Sequence, residues 1–133
     1  MNIKGIKAIT AIILATCLAA CQKQEVVTAQ PDEVTINISS PQEGTIYKKG
    51  DTVYISAHIS YITQMHGYIV QITDDAGDVV FEAEGHTHGD NITVAEKWGD
   101  TLSETRELSL AITAVVDHDG NQKISNVGFE SQP

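Results

Sequence analysis

The side chains of this chain best suited to chemistry are its five histidines, two of which form a His-x-His pair at His86 and His88. Residues two positions apart in an extended segment point to the same side, so these two imidazoles face alike. Neutral imidazole is a ligand for zinc, copper and nickel, at about 2.0–2.1 Å from zinc. The pair therefore supplies two ligands to one ion, and other parts of the chain must supply the rest.

Further donors lie elsewhere along the chain. His66 follows Met65, which is the soft ligand of this set and would favour copper. His118 lies within Asp117-His118-Asp119-Gly120-Asn121, and that segment and Asp90 offer carboxylates. Val53, Ile55 and Ala57 lie on one side of their extended segment, and His58 lies on the other. This position predicts that His58 is exposed.

The elements that must position these side chains are short strands, because apolar residues recur at every second position. Turns rich in Gly, Asp and Pro separate them, a pattern typical of an all-β antiparallel sandwich. The region 92–102 is ambiguous and is interpreted as a strand with an irregular loop. The other predicted strands are residues 34–39, 52–60, 67–73, 78–84, 108–116 and 124–129.

Three segments resemble those of an immunoglobulin-like domain: Ser40-Pro41-Gln42-Glu43-Gly44, Lys49-Gly50-Asp51-Thr52-Val53 and Asp117-His118-Asp119-Gly120-Asn121. The chain also resembles uncharacterised bacterial lipoprotein domains that carry a Gly-His-x-His segment, here Gly85-His86-Thr87-His88. The resemblance implies an immunoglobulin-like β-sandwich of about seven strands over residues 33–133, and it supplies no settled activity.

In that architecture the connections that carry four of the histidines lie at one end of the sandwich. We therefore predict a zinc or copper site there, and a protein that buffers, senses or hands on the ion. The alternative is an immunoglobulin-like interaction or accessory module of an envelope assembly, in which the histidines merely decorate loops. The predicted metal ligands are His66, His86, His88 and His118.

Two aspartate-rich turns invite a calcium interpretation. In the turn that begins at Asp117, however, Gly120 stands fourth, and no Glu lies at the twelfth position. The segment thus departs from the EF-hand pattern. The turn from Asp74 to Asp78 is better explained as a hairpin turn in which Gly77 adopts a positive φ.

The N-terminus has the pattern of a lipoprotein signal peptide. Lys4 and Lys7 precede an apolar stretch that is too short to span a membrane. The sequence Leu18-Ala19-Ala20-Cys21 resembles a bacterial lipobox, which implies cleavage before Cys21 and acylation of its thiol. We therefore expect a signal peptide over residues 1–20, and the lipidated cysteine with a tether over 21–32. The residue after Cys21 is Gln22 and not Asp, which resembles lipoproteins that are sent on to the outer membrane in two-membraned bacteria, and this resemblance implies an outer-membrane location in the cell envelope.

Cleavage removes two lysines and no acid, so the formal charge changes from −10 to −12. Such an acidic chain repels phosphate backbones, which excludes nucleic acid as a partner. With Cys17 removed and Cys21 acylated, no disulfide is available. No Gly-x-Ser-x-Gly elbow, phosphate-binding glycine loop or Cys-x-x-Cys pair occurs, so we expect no enzyme. The predicted partners are the membrane, through the lipid, and an envelope protein.

Overall fold

A computed structural model describes residues 28–133, and the expected signal peptide, Cys21 and most of the expected tether lie outside the described residues. A 3₁₀ turn, Pro31–Glu33, precedes eight strands. The strands are β1 (Thr35–Ser40), β2 (Ile46–Lys48), β3 (Thr52–Met65), β4 (Gly67–Asp74), β5 (Val79–Gly85), β6 (Gly89–Gly99), β7 (Arg106–Val115) and β8 (Gln122–Gln132). In the described part of the chain, no helix is long and apolar enough to cross a bilayer.

The strands form two sheets that pack face to face. One sheet has the order β1-β3-β6, and the other has the order β2-β8-β7-β4-β5. Strands β7, β4 and β5 are successive neighbours, and they adjoin the connections that carry His118, His66 and His86. The predicted all-β immunoglobulin-like sandwich is therefore confirmed.

The core lies between the sheets and consists of the residues that alternate along the strands. In β3 the buried positions include Val53, Ile55 and Ile59, and in β7 they include Leu110 and Ile112. The strict period of two places these side chains on one face, where burial of apolar surface stabilises the sandwich.

The structure differs from the predicted elements in several strand bounds, including those of β8, which covers Gln122–Gln132 and not only 124–129. β3 extends to Met65, five residues beyond the predicted end, because Tyr61 and Met65 are buried and continue its inward face. β2 is an additional short strand that pairs in parallel with β8, so the sandwich is not wholly antiparallel. The ambiguous segment forms β6, which begins at Gly89 and pairs with β3 along nearly its whole length.

The connections at one end of the sandwich come from three pairs of consecutive strands. β3 leads into β4 through His66, β5 leads into β6 through residues 86–88, and β7 leads into β8 through residues 116–121. The strand register places Gly67 opposite Val115 and Tyr68 opposite Gly85, so these connections are adjacent in space. We call this end the histidine pole, after His66, His86, His88 and His118.

Candidate metal-binding site

The four histidines at the histidine pole are in contact with one another. The ring centroid of His66 lies 4.1 Å from that of His118 and 4.9 Å from that of His88. The centroid of His88 lies 5.6 Å from that of His86, and these two rings are nearly perpendicular, at 87°. The four rings therefore form a chain in the order His118, His66, His88 and His86, in which His66 and His88 each contact two neighbours.

His66 is also the most enclosed of the four imidazoles. It is half-buried, whereas His86, His88 and His118 are exposed. Its backbone N–H donates to the carbonyl of Val115 at 2.8 Å, which fixes its position beside β7. Its Nδ1 is buried and has no hydrogen-bond partner among the described residues. A buried polar atom without a partner is energetically costly, and such an atom marks a place where a ligand would be stabilising.

The surroundings of His66 disfavour its protonated form. Its pKa is lowered from 6.5, first by removal from water and then by the neighbouring His118 and His88 rings, while the charge of Asp117 opposes the shift. A protonated imidazole cannot coordinate a metal, because the donor lone pair is then occupied. The cluster thus favours the protonation state that coordination requires.

The carboxylate of Asp117 is engaged within its own turn. Its Oδ1 accepts the backbone N–H groups of Asp119 at 3.0 Å and Asn121 at 3.1 Å, and its Oδ2 accepts the Asn121 side-chain amide at 2.7 Å. These donors, led by the Asn121 amide, lower the pKa of Asp117 and keep it ionised. Asp117 therefore shapes the turn that carries His118.

Two glycines and a tyrosine support the pole from below, and they were not singled out from the sequence. Tyr68 lies so close to Gly85 that a Cβ on Gly85 would stand 2.2 Å from its Cε1 atom. Gly67 has φ +146°, and a Cβ there would stand 2.2 Å from the carbonyl oxygen of Gly85. The glycines at the start of β4 and at the end of β5 were the available signal.

Tyr68 also links the two sheets under the pole. Its hydroxyl donates to Oε1 of Glu96 on β6 at 2.8 Å. Burial, followed by this contact with Glu96, raises the pKa of Tyr68, so the phenol stays protonated. A pocket of about 110 Å³ opens beside it, and His66, His86 and His118 contribute to its walls.

Met65 and His58 take no part in the ring contacts of the cluster. Met65 is fully buried in the hydrophobic core, which accounts for it as a packing residue. His58 is exposed on β3, as expected, and its Nε2 lies 3.2 Å from Oδ1 of Asn91. Across residues 28–133, no three or more His, Cys, Asp or Glu side chains are already arranged to hold an ion. The imidazoles pack against one another instead.

The predicted hairpin turn from Asp74 to Asp78 is confirmed. Oδ1 of Asp74 accepts the backbone N–H groups of Ala76 at 3.0 Å and Asp78 at 2.8 Å, and Gly77 has φ +89°. The carboxylate therefore has a local structural role that needs no bound cation.

Comparisons with known proteins identify the fold. No protein-family model matches this chain, and no curated protein matches it. The structure is similar to the fibronectin(III)-like modules of CbhA from Clostridium thermocellum, with 18% identity and a TM-score of 0.50 over 74% of this chain and 96% of that chain. It is also similar to the sporulation control protein Spo0M from Bacillus subtilis, with 10% identity and a TM-score of 0.54 over 76% of this chain.

The Spo0M match covers 49% of that protein, so this chain spans about half of it. At these identities, the similarity concerns the β-sandwich fold. The chemistry of the histidine pole must be argued from its own residues.

Proposed function

We propose that this chain is an exported, lipid-anchored protein of the bacterial envelope that binds zinc or copper at the histidine pole. The observation that carries the proposal is the chain of ring contacts that joins four imidazoles from three separate connections. The lipobox-like sequence before Cys21 supports export and anchoring. Several acyl chains on that residue would give stable attachment to a membrane.

The spacing of the rings supports a shared ion. Two imidazoles bound to one tetrahedral zinc, with Zn–N near 2.0–2.1 Å, have ring centroids about 5 Å apart. The observed centroid separations are 4.1, 4.9 and 5.6 Å. Coordination by one ion therefore requires the side chains to rotate out of their present packing. Because His86, His88 and His118 are exposed, their χ angles are free to make that adjustment.

The ligand set favours divalent ions. Imidazole suits Zn²⁺ and Cu²⁺, and Cu²⁺ binds more tightly than Zn²⁺ at a given nitrogen site. The thioether of Met65 is enclosed in the core, which removes the main argument for a soft, copper(I)-selective site. Nearby carboxylates, such as that of Asp117, contribute negative potential that raises the local cation concentration.

The proposal is tested by titrating chelator-stripped protein, residues 22–133, with Zn²⁺ and Cu²⁺ in a calorimeter. We expect one ion per chain with sub-micromolar affinity, and loss of binding below about pH 5.5, where imidazole is protonated. His66→Ala should weaken binding more than 100-fold, because it removes the most enclosed ring, which contacts both His118 and His88. The double replacement of His86 and His88 by Ala should abolish sub-micromolar binding.

The matched control is His58→Ala, which removes an exposed imidazole outside the cluster and should leave affinity unchanged. Circular dichroism and thermal melts establish that each variant folds. If the double variant binds as tightly as the parent, His86 and His88 are not ligands. If the parent binds neither ion below 10 μM, the metal proposal is wrong.

The alternative function is an interaction or accessory module of an envelope assembly. It is supported by the sandwich fold and by a groove of about 520 Å³ between β5 and β6, which Phe81 and Glu96 help to line. Tyr54, on the same groove, is 64% exposed. This reading expects one envelope partner, captured equally by the parent and by the His86/His88 double variant. Partner capture that fails with Tyr54→Ala would locate the contact at the groove.

A further inference from the structure

The chain enters the sandwich at the histidine pole. The backbone N–H of Gln30 donates to the hydroxyl of Tyr61 at 2.8 Å, and Ala29 packs against the core. Ala29 and Tyr61 line a hollow of about 260 Å³ together with His66 and Asp117. The first strand then runs away from this end, because Thr35 pairs with Ser60 and Ser40 pairs with Ser56.

Ala29 lies only eight positions after Cys21. A fully extended chain spans at most about 3.3–3.6 Å per residue, so the two are no more than about 29 Å apart. β3, with 14 residues, extends for about 45 Å at 3.3 Å per residue. The segment is therefore too short to carry the far end of the sandwich to the membrane while the lipid is inserted.

We propose that the histidine pole faces the membrane that holds Cys21, so that its ion is bound and released within about 30 Å of the lipid surface. This inference rests on the acylation of Cys21 in the proposed function, and adds which surface of the domain meets the membrane. The opposite pole, which carries the turn from Asp74 to Asp78, faces away. A membrane-embedded donor or acceptor of the ion would then meet the site directly.

The two similar turns at the two poles provide a matched pair of labelling positions. Asp119 and Ala76 are both exposed and both occupy the third position of their turn. The two turns lie at the levels of opposite ends of β4. Because β4 has eight residues at about 3.3 Å each, the two labelling positions are separated by roughly 25 Å along the strand direction. The mature chain has no cysteine besides Cys21, so Asp119→Cys and Ala76→Cys each introduce a single reactive thiol.

The experiment uses the full acylated chain in vesicles of phosphatidylethanolamine and phosphatidylglycerol that contain a small fraction of rhodamine-labelled lipid. A fluorescent donor is attached at position 119 or 76, and energy transfer to the labelled headgroups is measured. We expect at least twofold greater transfer from position 119. Equal transfer, or greater transfer from position 76, would overturn the orientation.

The mass of the mature protein separates this inference from the proposed function. If the protein carries the lipid but transfer is equal from both positions, the orientation is wrong and the anchor stands. If Cys21 carries no lipid, the anchor and the orientation are both wrong. Metal binding is measured on the soluble domain and is decided independently of either result.

Discussion

Two turns of nearly identical construction occupy opposite poles of the sandwich. Each begins with an aspartate, Asp74 or Asp117, whose Oδ1 accepts the backbone N–H groups two and four positions later. Each has a glycine at the fourth position with a positive φ, +89° for Gly77 and +91° for Gly120. The backbone of the two turns is thus built by the same local hydrogen bonds.

The second position of each turn distinguishes them. Asp75 occupies it at one pole and lies 3.2 Å from the guanidinium of Arg106. His118 occupies it at the other and contacts the ring of His66. The aspartate and the glycine therefore specify the conformation of the turn. The neighbouring strands determine which side chains the residue at the second position contacts.

The largest expected effect is on the glycines that shape the two poles. Gly67→Ala would place a Cβ 2.2 Å from a backbone oxygen and should cost about 3 kcal/mol, since the strands themselves must move. Gly77→Ala meets nothing within 4 Å and should cost about 1 kcal/mol, from its positive φ alone. Urea denaturation of both variants measures the difference. Equal costs would show that the close approach at Gly67 is not limiting.

A smaller effect is expected from the aspartates that begin the turns. Asp117→Ala and Asp74→Ala each remove the acceptor of two backbone N–H groups, and each should lower Tm by a few °C. Asp117→Asn retains an acceptor oxygen and should change zinc affinity less than tenfold, against more than 100-fold for His66→Ala. A 100-fold loss in Asp117→Asn would identify Asp117 as a ligand.

The pH dependence of the free energy of unfolding should also reveal the environment of His66 at the histidine pole. The pKa of His66 is lowered on folding, so between that value and 6.5 the unfolded chain binds more protons. The stability of the metal-free protein should therefore fall as the pH drops below about 6.5, and His66→Gln should reduce that fall. The urea midpoint at pH 7.5 and pH 5.5 measures it, with His58→Gln as the control. An identical fall in both variants would contradict the assignment.

The smallest effect is expected when a histidine is placed in the turn without its neighbours. Asp75→His places a histidine at the second position of the turn at the opposite pole, as in the turn that carries His118. The substitution also removes an exposed ion pair with Arg106, and the loss of such a pair should barely change Tm. It should leave the stoichiometry of zinc binding at one, because no second ring lies beside it. A second bound ion in the calorimeter would mean that the turn itself recruits metal.

The strand pattern was predictable because each strand buries one face. Val53, Ile55 and Ile59 alternate so regularly that their common face is evident before any pairing is known. The exact end of β3 was not predictable, because Tyr61 and Met65 continue the pattern across three exposed residues. β2 was missed because its Tyr47 is followed by Lys48-Lys49-Gly50, which reads as a turn, and its pairing with β8 is non-local.

The candidate site was predicted in outline and refined in detail. The convergence of His66, His86, His88 and His118 followed from the expected order of strands, and the ring contacts agree with it. The enclosure of His66, in contrast to the exposure of the other three rings, did not follow, because it depends on how neighbouring strands pack around it. The hydrogen bonds that Asp117 accepts within its own turn were likewise not predictable, because they depend on the rotamer of its side chain.

By itself, the sequence determined that the domain is a β-sandwich with short turns, because residue alternation and turn chemistry act over a few neighbouring positions. Only the tertiary structure decided which imidazoles touch, which of them is enclosed, and at which pole the chain enters. Those properties depend on register between strands that are far apart in the chain, and a shift of one residue would turn each side chain to the opposite face.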